Sequence, residues 1–155
     1  EDDFQTTIQK GMASTPVVKK TGCSKDKVLE QPEYWALLGR MVLKSRKARC
    51  FSCAAAAVYS LVMDPECDSL VIASVANESF DHHFVVVAKS EGDLKAGRAY
   101  AIDIWQANLD KSSYVQSLDT FRYTKGKTKV FCLLMPEERA GLRAWVETAG
   151  KVDDD

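Results

Sequence analysis

Histidine is almost missing from this chain: there are two in 155 residues, and they stand side by side as His82 and His83. Any imidazole chemistry therefore belongs to one short stretch. There is no excess of charge of either sign, with 21 Lys+Arg against 22 Asp+Glu and a formal net charge of −1, which excludes a strongly basic nucleic-acid binder. At 28% charged and 46% hydrophobic, the composition also excludes a disordered tail. Long apolar runs are lacking. The best of them, Ala54 to Val58 and Phe84 to Ala88, fall far short of the roughly 20 residues that a membrane-spanning helix requires. No signal peptide, internal repeat or low-complexity tract is recognisable. The chain opens Glu1-Asp2-Asp3 without a methionine and closes Lys151-Val152-Asp153-Asp154-Asp155, and it reads as a piece of something longer. Five cysteines, Cys23, Cys50, Cys53, Cys67 and Cys132, are an odd number spread over a well-filled chain. That pattern fits reduced thiols better than a disulfide framework.

The length suits one domain with one core, which folds without disulfides or a structural metal. Residues 1 to 28 show no sustained period and read as an irregular N-terminal arm. A domain is expected over 29 to 150, followed by an acidic tail over 151 to 155. From Pro32 to about Lys47 the apolar residues Tyr34, Leu37, Leu38, Met41 and Val42 recur at three- and four-residue spacing, which predicts an amphipathic helix with a basic end. Cys50 to Met63, rich in alanine and stopped by Asp64-Pro65, predicts a mostly buried helix. Beyond Pro65 the β-branched runs Ser69 to Val75, Phe84 to Ala88, Ala99 to Trp105 and Lys129 to Leu134 predict four strands. Tyr114 to Phe121 reads as a short helix or a loop. A last helix opens at Pro136 with acids in its first turn and runs through Trp145. Helices, then strands, then a helix indicate an α+β fold with N-terminal helices packed on a small antiparallel sheet and a C-terminal helix.

Three residues invite chemistry. Cys50 opens the alanine-rich helix, where free backbone N–H groups and the helix dipole stabilise a thiolate, and the basic run Lys44 to Arg49 adds to the effect. His82 and His83 start a strand and must point to opposite faces. His82 shares parity with the apolar Phe84, Val86 and Ala88, so it is expected on the covered side. Asp103 is an acid in an apolar strand, and a carboxylate there needs a partner. An imidazole N–H is suitable, since the carboxylate would fix its tautomer and support the imidazolium.

The order Cys50, His82, Asp103 on a helix, a strand and the next strand resembles the papain-like domains of secreted bacterial toxins and effectors. Those carry a Gly-Asn-Cys-x-Glu-x-Ala-like segment, then Asp-His-x-Phe-Val-Val, then Asp-Pro-Trp. Here the corresponding pieces are Ala48-Arg49-Cys50-Phe51-Ser52-Cys53-Ala54, Asp81-His82-His83-Phe84-Val85-Val86-Val87 and Asp103-Ile104-Trp105. Arg49, Ser52 and Ile104 depart from the pattern. The resemblance implies a papain-like cysteine hydrolase with Cys50 as nucleophile, His82 as general base and Asp103 as its orienter, with no cofactor and no metal. It further implies a glutamine deamidase, or a protease with the same triad, secreted or injected by bacteria to act on a protein substrate in a target cell's cytosol. A cognate immunity protein or chaperone would be a further partner. Cys53 is the rival nucleophile, and Gln106 is a candidate side-chain donor to the oxyanion.

Other readings stay open at this level. Cys50-Phe51-Ser52-Cys53 is also a C-x-x-C at a helix start, the arrangement of disulfide oxidoreductases. Cys50, Cys53, Cys67 and a histidine are conceivable zinc ligands, although the spacing is irregular. A non-catalytic binding domain would use Tyr34, Trp35, Trp105 and Trp145 as anchors.

Overall fold

The computed structural model describes residues 29–45, 50–106 and 114–153. Helix α1 (Pro32–Ser45) carries its apolar residues at helical spacing and buries Tyr34, Trp35, Ala36, Leu37, Leu38 and Val42. The Trp35 indole N–H donates to the Leu29 carbonyl at 2.7 Å, which pins the entry to the helix. Helix α2 (Cys50–Met63) buries Ser52 to Val58 without a break. Its four alanines let α1 come close, and Gly39 marks the contact: a Cβ there would lie 2.0 Å from the Ala55 carbonyl oxygen. Residues 46 to 49, the distal part of the expected basic helix end, lie outside the described residues, as does the expected arm over 1 to 28.

The sheet has five antiparallel strands in the order β4-β3-β2-β1-β5: β1 (Val71–Asn77), β2 (His82–Ala88), β3 (Tyr100–Ile102), β4 (Val115–Ser117) and β5 (Thr128–Leu134). One strand was not anticipated: β4 forms where a short helix or loop was expected, and only Leu118–Thr120 coils there, as a 3₁₀ turn. The expected strand over Ala99 to Trp105 is cut short, because the chain turns helical at Ile104 to Gln106 and leaves Asp103 at the strand's exit. The first strand is displaced by two residues toward Asn77. A short helix α3 (Glu91–Lys95), capped by the Ser90 hydroxyl on the Asp93 N–H at 3.1 Å, joins β2 to β3. The last helix α4 (Arg139–Asp153) follows a 3₁₀ turn at Pro136–Glu138 and runs on past Trp145.

Both sheet faces are covered, by different material. Ile72, Val85, Val87, Cys132 and Leu134 pack under α1, α2 and α4. Ala73, Val75, Phe84, Val86 and Ala88 pack with Ala99, Ala101, Phe121 and Tyr123. The central strands are thus buried on both faces, which explains why they read as continuous apolar runs. Burying large side chains such as Trp35, Phe84 and Ile72 contributes about 1.5–3 kcal/mol each. Arg139, wholly buried, ties α4 to the start of the sheet by donating to the Cys67 and Leu70 carbonyls at 2.8 and 2.6 Å. No helix of the described residues is long and apolar enough to cross a membrane.

Candidate active site

Cys50 is the first residue of α2 and is only partly buried, whereas Cys53, one turn further in, is 7% exposed. The Cys50 thiol lies 3.9 Å from the Asp81 carbonyl oxygen. Asp81 sits in the left-handed region at φ 49°, the only described non-glycine residue to do so, and it closes the turn that delivers His82 to the start of β2. This turn is held from beneath by Asn77, which faces His82 across the β1–β2 ladder. The fully buried Asn77 side chain accepts from the Ser79 and Phe80 N–H groups at 3.0 and 3.3 Å and donates to the Tyr123 and Lys125 carbonyls at 2.6 and 2.7 Å.

His82 is 3% exposed and Asp103 4%. His82 Nε2 is 2.6 Å from Asp103 Oδ2. The other carboxylate oxygen accepts the Gln106 backbone N–H at 3.1 Å, and the Asp103 N–H donates to the Tyr114 carbonyl at 2.8 Å, so the carboxylate is fixed at both ends. With Nε2 taken by Asp103, Nδ1 is the ring nitrogen left to serve a thiol, and Cys50 lies close enough for the two groups to shift each other's ionisation. The ring is walled by Tyr123 at 4.0 Å between centroids, Trp105 at 5.7 Å and Phe84 at 6.2 Å.

Burial disfavours charge on His82. It is outweighed by the hydrogen bonds to Asp103 and Cys50 and by their negative charge, and the imidazole is raised from 6.5 to about 9. Burial also opposes a thiolate at Cys50, but the His82 hydrogen bond, the His83 backbone N–H, the imidazolium charge and the Phe51 N–H together bring the thiol below its ordinary value. Both shifts favour a thiolate–imidazolium pair. Two other thiols move the opposite way: burial and nearby carboxylates push Cys132 to about 12, and burial and Asp64 raise Cys67.

The three residues singled out from sequence are therefore brought together, with one correction: Asp103 lies at the exit of β3 rather than within a strand. His82 is on a covered side as expected, buried with Phe84 and Tyr123, and the helical layer covers the opposite face that His83 shares with Val85 and Val87. Cys50 meets His82 because both lie at one end of their elements. His83 packs between Phe51 and Phe131, and burial holds it below the ordinary histidine range. Gln106 is tied to Asp103 by its backbone and accepts the Tyr123 hydroxyl at 2.7 Å through Oε1.

Tyr123, Asn77 and the His83 N–H escaped the sequence reading, since their parts depend on which strands pair. The buried Asn77 at a strand end before a polar turn was the one hint. Of the aromatic anchors proposed for a binding domain, Tyr34 and Trp35 are committed to the core, while Trp105 and Trp145 are partly buried. Among the described residues no group of three or more His, Cys, Asp or Glu is placed to hold a metal. Compared with models of protein families, with characterised proteins and with solved structures, the chain matches none.

Proposed function

We propose that this chain is a thiol-dependent amide hydrolase of papain-like design, with Cys50 as nucleophile, His82 as general base and acid, and Asp103 as the residue that orients the imidazole. The observation that supports the reading is the buried His82–Asp103 pair, 2.6 Å apart, beside a Cys50 thiol at the start of α2 that is held below its ordinary value. A structural histidine has no need of that arrangement, whereas a base that must shed and recover a proton from one defined nitrogen does.

In the proposed cycle the Cys50 thiolate attacks a carboxamide carbon while His82 holds the thiol proton on Nδ1. The tetrahedral oxyanion is met by backbone N–H groups near Cys50, those of Phe51 and His83, which also favour the thiol's ionisation, being the nearest candidates. His82 then returns its proton to the departing nitrogen, the C–N bond breaks and a thioester forms. Water attacks the thioester with His82 as base, and the acid and the thiol are released. Glutamine side chains of a folded protein are the favoured substrate, because a chain of this length has little material for a long peptide-binding cleft. The reaction then converts an amide to a carboxylate and ammonia. Action on proteins of a target cell, after secretion or injection by a bacterium, belongs to the same proposal.

The test uses casein and reads two products from one sample. Ammonia released with chains of unchanged length, and lost in Cys50→Ala and His82→Ala, is the expected result. New N-termini without ammonia would turn the assignment to a protease. Activity that survives Cys50→Ala but not Cys53→Ala would overturn the nucleophile.

A further inference from the structure

The turn that carries Asp81 and His82 is stitched to the segment that follows the 3₁₀ turn Arg122–Thr124. The Glu78 N–H donates to the Lys127 carbonyl at 2.8 Å, and the Lys127 N–H donates to the Ser79 hydroxyl at 3.1 Å. Gly126, at φ 95°, makes the seam possible: a Cβ there would lie 2.7 Å from Ser79 Oγ. Along the seam stand Arg122, Lys125, Lys127 and Lys129, all exposed, while the turn supplies the acids Glu78 and Asp81. Lys127 is 3.4 Å from Glu78, Arg122 lies over the Tyr123 ring and Lys129 over Phe131. Cations thus outnumber acids at this end of a protein whose net charge is −1.

Phe80 projects from the same turn, 59% exposed, with its ring 5.8 Å from Tyr123, which in turn lies against His82. An apolar ring two residues before the base, packed edge-on to the ring beside His82 and flanked by cations, joins the two kinds of group, aromatic and basic, that binding surfaces combine. We infer that this seam is a docking lip for an acidic segment of the protein substrate, with Phe80 covering an apolar side chain next to the reacting amide. The inference rests on Cys50 and His82 being the reacting pair. Charge complementarity selects the partner class: at physiological salt the Debye length is about 8 Å, so only carboxylates brought close to the lip gain from it, and they raise encounter rate and register together.

The experiment uses the full chain with Cys50→Ala, so that docking is read without the nucleophile. A fluorescein-labelled acidic peptide, acetyl-Asp-Glu-Leu-Gln-Glu-Asp-amide, is titrated by anisotropy beside a counterpart with lysine at each acidic position. The acidic peptide should bind about tenfold tighter at low salt, lose that margin as salt rises, and lose it altogether with Arg122→Glu, Lys125→Glu and Lys129→Glu combined. Lys89→Glu, the same kind of change at the far end of β2, should leave the margin intact, and Phe80→Ala should weaken acidic-peptide binding several-fold. In the wild-type chain the acidic peptide should slow iodoacetamide alkylation of Cys50, which places it over the thiol. Equal affinity for both peptides, no binding, indifference to the triple reversal, or binding without protection of Cys50 would each overturn the lip. Slow alkylation without any peptide would instead sink the nucleophile assignment, and the anisotropy result would stand apart from it.

Discussion

At the scale of single residues the decisive contrast is among the thiols. Cys50 is drawn below the ordinary value by His82 and two backbone N–H groups, whereas Cys67 and Cys132 are raised. Iodoacetamide at about pH 6, where an ordinary thiol is almost wholly protonated, should therefore modify Cys50 first and Cys132 last, and His82→Ala should remove the advantage of Cys50. Peptide mass spectrometry reads the order, and a uniformly slow set would refute the ion pair. Under the proposed function Cys50→Ala should abolish ammonia release and His82→Ala should lower it about 10²–10⁴-fold. Asp103→Ala should cost less than Cys50→Ala, and full activity in Asp103→Ala would remove that residue from the triad. These three residues were legible in the sequence because their chemistry is local to their type: a cysteine at a helix start, the only histidines, an acid in an apolar run. Tyr123 was not legible, since nothing in residues 121 to 124 shows that the chain will fold back over His82.

At the scale of elements, two contacts set the position of the site. Gly39 admits the backbone of α2, so Gly39→Ala should destabilise the fold by about 1–3 kcal/mol through overpacking, seen as a lower urea midpoint. An unchanged midpoint would mean that α1 and α2 do not pack at this distance. Asn77 satisfies four backbone groups at the turn, and Asn77→Ala would leave some of them unpaired, at about 1–3 kcal/mol. Slowed Cys50 alkylation in that variant would show that the turn also holds the reacting pair in place. Periodicity located both N-terminal helices and four of the five strands, because a long amphipathic stripe or a β-branched run is determined by burial along the element itself. It missed β4 and the exact end of β3, whose three residues each are strands only because a neighbour pairs with them.

For the molecule as a whole, the paired ionisations link stability to pH in a way that mutation can separate. A histidine raised from 6.5 to about 9 stabilises the fold fully below 6.5, and that contribution is lost as pH rises through the folded value. In the wild type the loss is masked: over the same window the unfolded chain carries its proton on Cys50, whose ordinary value is 9.0, while the folded pair carries one on His82. Cys50→Ala keeps the raising by Asp103 and should therefore show a decline in thermal midpoint as pH rises above 6.5 that the wild type lacks, and adding Asp103→Asn should flatten it. A flat profile in Cys50→Ala would contradict a His82–Asp103 ion pair. The α+β layering and the burial of His82 were readable from the order of elements and from parity, while the placing of helices over His83 and a loop layer over His82 was not, since parity alone does not say which layer lands on which side.

The turn at Asp81 has a consequence in time as well as in space. The Cys50 thiol meets the groups that favour its ionisation only when α2 has docked on the β1–β2 hairpin and Asp103 has arrived from beyond β3, so that environment requires contacts between residues far apart in sequence. Under the proposed function the chain would stay chemically silent during synthesis or refolding until those long-range contacts close. The moment of thiol activation is thus a natural clock for the completion of the fold.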